Sequence, residues 1–293
     1  MSRALEGDKR TDSMGVDEVQ RGNAAWWNAR PMDYSWRGEN QLVRGTREWF
    51  DELDRQFVEA SRLFATDAQP FDRLIPLDSL AGKSVLEIGC GMGMHTELMA
   101  RAGAHVTAVD LTETAVEMTQ KRLELRGLKA DVRVCDAEKL PFADDYFDFV
   151  WSWGVIHHSA RTGRVVRQIA RVLRPSGECR VMVYNREGAA ARMSLLVKHF
   201  LQGGFIRHSM EETLFRSTDG FSARHYVKEQ FEDLFRTFFG HVESQICGQQ
   251  ADVLPLPRKL REPLIALIPK SYQREAQARR GAFLFLTASQ PDT

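Results

Sequence analysis

The sequence predicts an α/β protein organised around a doubly wound, mostly parallel sheet. Two observations carry that expectation. Short apolar, β-branched runs alternate with longer segments of helical period, and glycines or a Pro-Ser-Gly turn mark the joints between them. At roughly 150 residues per domain, the 293-residue chain has room for about two domains, or for one α/β domain with sizeable additions.

Residues 1–20 are polar and poor in large apolar side chains, so they read as a flexible N-terminus. Residues 21–80 are rich in aromatics and read as a helical extension or lid. Within them Phe50, Leu53, Phe57 and Phe64 stand at helical spacings, which predicts an amphipathic helix from Arg47 to Phe64. Residues 81–185 form the core, with strands expected at Ser84 to Ile88, His105 to Val109, Asp131 to Cys135, Phe147 to Trp151 and Glu178 to Tyr184. Helices fall between them near Met94 to Ala102, Thr112 to Arg126 and Gly163 to Leu173, stopped by Gly103, Gly127 and Pro175-Ser176-Gly177. Residues 186–240 read as a helical insert, with a turn from Thr218 and a helix opened by Tyr226 near Val227. Residues 241–293 hold a strand pair, His241 to Cys247 and Ala282 to Ala288, around a Pro-rich basic insert.

Composition narrows the function. Hydrophobic residues make up 43% of the chain and charged residues 27%, unlike disordered, collagen-like or membrane-spanning sequences. Lys and Arg number 40, as do Asp and Glu, so no net field attracts a polyanion and a nucleic-acid partner is disfavoured. Cys90, Cys135, Cys179 and Cys247 form neither a C-x-x-C pair nor a ligand spacing and read as buried reduced thiols; nothing asks for a metal. The opening MSRALEGDKR lacks the apolar stretch that directs secretion, and no run reaches the roughly 18 apolar residues of a membrane span. A cytoplasmic enzyme without stable membrane insertion is the expectation.

The strongest local signal is VLEIGCGMGMHTELMA at residues 85–100, where a buried strand runs into Gly89, Gly91 and Gly93 and a helix begins. Glycines there let a ligand approach the backbone closely, and the helix N-terminus offers free N–H groups. A dinucleotide fingerprint wants its third glycine one place later, where Met94 stands, which counts against a nicotinamide cofactor.

Four ordered pieces then carry a family resemblance: EIGCGMG, the acidic strand end VTAVD, DAEKLPF, and FDFVWSWGVIHH followed by RVLRPSG. Over about residues 80–185 the chain resembles the class I S-adenosylmethionine-dependent methyltransferases, especially the group of ubiquinone and menaquinone C-methyltransferases and natural-product methyltransferases. The resemblance implies a Rossmann-like sheet of seven mostly parallel strands with the last antiparallel, capped by the helical N-terminal extension and the helical inserts. It implies S-adenosyl-L-methionine as cofactor and S-adenosyl-L-homocysteine as product. Carried over position by position, Glu87 and the backbone of Gly89, Gly91 and Gly93 would hold the cofactor's amino-acid moiety. Asp110 would accept from both ribose hydroxyls, Leu111 would pack on adenine, Asp136 would accept from its exocyclic amine, and the Ala137 N–H would reach a ring nitrogen. By themselves, Asp110 and Asp136 read as solvated loop carboxylates and Glu87 as a structural partner of nearby backbone; the ordered context favours the cofactor roles.

His157 and His158 follow the fourth strand, where the resemblance brings cofactor and acceptor together. Either ring can take a proton near neutral pH, and either can pack in the core; the resemblance does not say which one faces the cleft. Trp151 and Trp153 alternate and so share a side: Trp151 reads as core, Trp153 as core or as an aromatic wall beside cofactor and acceptor. Trp26, Trp27, Tyr34 and Trp36 read as packing or as a lid over the acceptor, and the resemblance favours the lid. Tyr226 is an acceptor-pocket candidate or a packing anchor, and His208 and His225 read as exposed. The basic run at Arg258–Arg261 reads as a solvated face or subunit contact, with a membrane surface or anionic acceptor as the alternative.

The expectation is methyl transfer to a hydrophobic small molecule of secondary metabolism: C-methylation of a prenyl or aromatic acceptor, with a histidine near the cleft as base. O- or N-methylation stands second. A nicotinamide-dependent oxidoreductase and a non-catalytic cofactor-binding partner are the readings from other classes. The N-terminal helices also offer a surface for self-association.

Overall fold

The computed structural model describes residues 15–33, 42–60, 71–256 and 258–292. The strands are β1 (Ser84–Ile88), β2 (His105–Asp110), β3 (Asp131–Val134), β4 (Phe147–Trp153), β5 (Leu173–Asn185), β6 (His225–Tyr226), β7 (Phe239–Cys247) and β8 (Phe283–Pro291). Seven of them lie in the order β3-β2-β1-β4-β5-β8-β7. Strands β1 to β5 are parallel, and β8 runs antiparallel to both β5 and β7. The expected doubly wound sheet is therefore present, with its last strand reversed.

Alternation along the strands explains why both faces are covered. Leu86, Val150 and Val181 point to one side, onto Val165, Val166 and Ile169 of α5 (Thr162–Val172) and Phe231 and Phe235 of a later helix. Val85, Phe149 and Trp151 point to the other, onto Met99 of α3 (Met94–Arg101) and Val116 and Leu123 of α4 (Glu113–Arg126). Each large side chain so buried contributes about 1.5–3 kcal/mol, which is why the apolar runs settle here as strands.

Three expectations are corrected. The chain is helical before residue 20: α1 (Val16–Ala29) starts at Val16, where Asp17, Glu18 and Arg21 are on the outer face of an amphipathic helix that buries Val19 and Asn23, and residues 1–14 of the expected flexible N-terminus lie outside the described residues. Tyr226 does not open a helix. It lies in β6, which pairs with Tyr184 and Asn185 of β5, and α8 (Lys228–Arg236) follows. Pro175, Ser176 and Gly177 do not precede β5 but lie within it, where the register shifts between the Phe147–Leu173 and Phe149–Glu178 pairs. Helix α2 (Arg47–Ala60) begins as expected, while Phe64 and Trp36 lie outside the described residues.

Two inserts leave the carboxyl edge of the sheet. The first contains α6 (Ala189–Ser194), continued by π-type turns over Leu195–Leu201, then a short turn and α7 (Met210–Phe215). The second contains α9 (Gln250–Val253), α10 (Arg258–Ile265) and α11 (Lys270–Arg280). Helix α6 of the first packs against α9 of the second, and Asp252 of α9 accepts from the N–H groups of Gln249 and Ala282.

Candidate active site

A cleft of about 450 Å³ opens at the carboxyl ends of β1, β2 and β4. This is where the strand order reverses direction, the place where open α/β sheets bind ligands, and the volume falls in the roughly 300–1,000 Å³ range of small-molecule sites.

The loop after β1 forms one wall. At Gly89 φ is +83°, and a Cβ there would stand 2.1 Å from the Val155 side chain, so only glycine fits. Gly91 faces open space, and its N–H donates to Asp110 Oδ2 at 3.1 Å. Asp110 Oδ1 accepts from the Thr112 N–H (3.0 Å) and hydroxyl (2.9 Å). Burial pushes the Asp110 carboxyl up, opposed by those N–H groups. A carboxylate has about four acceptor positions, and three are used, so one remains on Oδ2 for a ligand hydroxyl. The expectation that Asp110 receives two ribose hydroxyls without rearrangement is thereby reduced to one.

At the next strand end Leu111, Asp136 and Ala137 line the cleft together. Asp136 Oδ1 accepts from the Glu138 N–H (2.9 Å) and from Gln20 Nε2 (3.0 Å), which reaches across from α1. Oδ2 makes no hydrogen bond among the described residues. Trp153 lines the cleft and stacks on Trp151, their ring centres 5.7 Å apart; Trp151 is fully buried core.

The two histidines separate. His158 lines the cleft, its Nδ1 lies 2.5 Å from the Ser222 carbonyl, and Trp27 packs on it in a T-shaped arrangement with ring centres 5.1 Å apart. The Ser222 carbonyl can only accept, so Nδ1 carries the proton and Nε2 is left with a lone pair. Burial lowers the His158 pKa to about 4, partly opposed by that hydrogen bond. His157 is fully buried, its ring centre lies 4.1 Å from that of Tyr184, and neither ring nitrogen has a partner among the described residues; it does not line the cleft. Burial holds it well below the ordinary histidine value.

Several other expected residues are not on the wall. Glu87 is buried beneath it, accepting from Thr96 Oγ1 and lying 3.6 Å from His95 Nδ1, so it braces the start of α3. Gly93 caps α3 against Thr119. Trp26 faces away, under the Arg30 guanidinium at 4.4 Å. The Tyr226 hydroxyl donates to Thr162 Oγ1 at 2.9 Å and its ring packs on Phe231, making it an anchor between insert and core. His225 is half-buried, and burial lowers its pKa to about 4; His208 is half-buried beside Glu212. Tyr34 lies outside the described residues.

The structure adds residues that the sequence reading passed over. Gln20 and Asn23 line the cleft from α1, on the same face as Trp27, the one described residue of the expected aromatic lid that does line it, and Asn23 Nδ2 donates to the His158 carbonyl at 2.6 Å. The i, i+3, i+7 spacing of Gln20, Asn23 and Trp27 was visible in the sequence, but only the tryptophan drew a lid reading. Asp54 and Phe57 do the same from α2. Tyr184 stands beside His158, Asp219 lines the cleft near Tyr184, and the Tyr184 hydroxyl makes no hydrogen bond among the described residues.

Residues 86–181 match a family model described as a methyltransferase domain. The chain is 32% identical over 161 residues to a ubiquinone biosynthesis O-methyltransferase of Xanthomonas oryzae pv. oryzae, covering 51% of this chain and 67% of that one. It is 38% identical over 104 residues to methyltransferase GfsG of Streptomyces halstedii, covering 34% of this chain and 37% of that one. Across these and similar curated relatives the chain spans between 37% and 67% of the relative's length. Among solved structures, a Haemonchus contortus phosphoethanolamine N-methyltransferase in complex with S-adenosylhomocysteine superposes with a TM-score of 0.55 at 17% identity, covering 95% of this chain and 61% of that one. That last likeness concerns the fold.

Proposed function

Because the chain belongs to the class I S-adenosylmethionine-dependent methyltransferases, we propose that it moves a methyl group from S-adenosylmethionine to an oxygen of an apolar small molecule, with His158 as general base. The carrying observation is the His158 ring itself: on the cleft wall, fixed at Nδ1 by Ser222, with Nε2 free to accept a proton.

The residues present fit the cofactor. Asp110 keeps an acceptor position for a ribose hydroxyl, Asp136 Oδ2 for an adenine amine, Leu111 offers an apolar face, and Gly91 leaves room for a ligand against the loop. The cofactor, when bound, supplies an electrophilic methyl on a sulfonium whose thioether leaves without needing a proton. The chain's own task is alignment and exclusion of water, which can lower the barrier by about 7–11 kcal/mol in a near-attack arrangement. Trp27, Trp153 and Phe57 wall off an apolar space, and Tyr184 beside His158, with Asp219 near it on the lining, provides polar groups that orient an acceptor hydroxyl.

Oxygen replaces the carbon acceptor expected from the sequence for two reasons. Several curated relatives bear the name ubiquinone biosynthesis O-methyltransferase, and the site has a proton acceptor that a hydroxyl needs on methylation. The test is transfer of labelled methyl to matched phenol, alcohol and alkene acceptors. Oxygen products are expected, and His158→Ala is expected to slow their formation by about 10²–10⁴-fold. Label arriving on carbon, at a rate indifferent to His158, would refute the proposal.

A further inference from the structure

The two inserts carry a feature that methyl transfer does not use. Among the described residues, eleven of the sixteen exposed large apolar side chains lie within residues 193–210 and 260–272. The most prominent are Phe200, Leu201, Phe205 and Ile206, exposed by 54%, 75%, 58% and 76%. They are presented by a built turn. His199 beneath them is buried, its Nδ1 lies 2.9 Å from Thr213 Oγ1, and the Arg207 and His208 N–H groups both donate to the Gly204 carbonyl at 2.9 Å. Leu260, Leu264, Leu267 and Tyr272 form the second group.

Charge follows the same segments. Residues 189–210 contain Arg192, Lys198 and Arg207 and no acidic residue, and residues 258–280 hold seven basic residues against Glu262 and Glu275, in a chain that is neutral overall. Lys198, Arg207, Lys270 and Arg274 are exposed and make no ion pair among the described residues. The inserts meet where α6 packs against α9, and they leave strand ends whose neighbours Tyr184, Gln249 and Phe283 line the cleft. Bulky apolar tips surrounded by unpaired cations match an anionic lipid interface, where the rings enter the acyl boundary and the cations meet phosphates. A second copy of the chain would set two basic faces against each other, which opposes self-association here.

We propose that the paired inserts dock the protein on an anionic phospholipid surface, with the turn from Phe200 to Ile206 in the interface and the acceptor end of the cleft beside it. The contact is peripheral, since no helix among the described residues is long and apolar enough to cross a membrane. Its purpose, access to an apolar acceptor dissolved in lipid, rests on the function proposed above; the adsorption itself does not.

The experiment is co-sedimentation of the full chain with vesicles of phosphatidylcholine alone and of phosphatidylcholine mixed with phosphatidylglycerol. Binding to the mixed vesicles is expected to exceed that to the neutral ones by about ten-fold or more and to weaken with added salt. Phe205→Glu with Ile206→Glu should lower it by about ten-fold, and Lys198→Gln with Arg207→Gln should weaken it and flatten its salt dependence, while S-adenosylhomocysteine affinity stays unchanged as the sign of an intact fold. Equal or absent sedimentation with the two vesicle types overturns the proposal. So does a dimer in analytical ultracentrifugation that the Phe205→Glu, Ile206→Glu variant dissociates. Loss of cofactor binding by the unaltered chain would strike the methyltransferase reading and leave the vesicle result standing.

Discussion

His158 and His157 are adjacent, yet their surroundings give them different work. His158 has a carbonyl on Nδ1 and the cleft on its other side, so His158→Ala should cut turnover while S-adenosylhomocysteine affinity, measured by calorimetry, changes by no more than about three-fold. His157 has two buried nitrogens without partners, so His157→Leu removes an uncompensated polar group and should leave turnover near normal with stability equal or higher. The acid limb of kcat/KM reports the free enzyme's base, and burial places that of His158 at about 4. The rate is therefore expected to hold as pH falls through 6.5; a limb at 6.5 would assign the base elsewhere. The pair was visible in the sequence as two histidines after a strand, but not which one faced the cleft. That choice is made by Ser222 and Tyr184, distant in the chain and brought together only by the fold.

Helices α1 and α2 close the cleft through contacts made far from their own sequence. Gln20 and Asn23 tie α1 to Asp136 and to the His158 carbonyl, and Asp54 ties α2 to Arg122 of α4. Arg122 is buried and also donates to Glu97 of α3 at 2.6 Å, so one guanidinium holds three helices around the glycine loop. Arg122→Ala takes the paired guanidinium from Asp54 and leaves Glu97 to Arg101 and Arg126, and a loss of about 3 kcal/mol in urea unfolding is expected. A change below about 1 kcal/mol would mean that α2 is held by its apolar face alone. The strands of the core were legible because period-two alternation and glycine stops are local signals, as in Val85 and Leu86. Strand β6 was not, because its two residues become a strand only by pairing with Tyr184 and Asn185. The amphipathic pattern of α1 was present in the sequence, and its polar outer face made it read as a frayed end.

At the scale of the molecule, burial of neutral histidines links stability to pH. His158 and His225 have folded-state pKa values lowered to about 4, against 6.5 unfolded, and His157 is shifted in the same direction. Between those values the unfolded chain binds protons that the folded chain refuses, so stability is full above about pH 6.5 and falls as the pH is lowered toward 4, by about 3 kcal/mol from His158 alone. Urea midpoints that stay constant across that interval would contradict the buried, neutral state of the cluster. The charge asymmetry belongs to this scale too: a balanced chain concentrates cations on its two inserts, which composition alone conceals. The cleft beside Gly89, Gly91 and Asp110 is built for an adenosyl sulfonium cofactor, and calorimetric titration with S-adenosylhomocysteine and with NAD decides whether it holds one. One site for S-adenosylhomocysteine, weakened about 10- to 100-fold by Asp110→Ala, and no heat with NAD is the expected result. Silence with S-adenosylhomocysteine, saturation by NAD, or an Asp110→Ala variant that binds as tightly as the unaltered chain would contradict it.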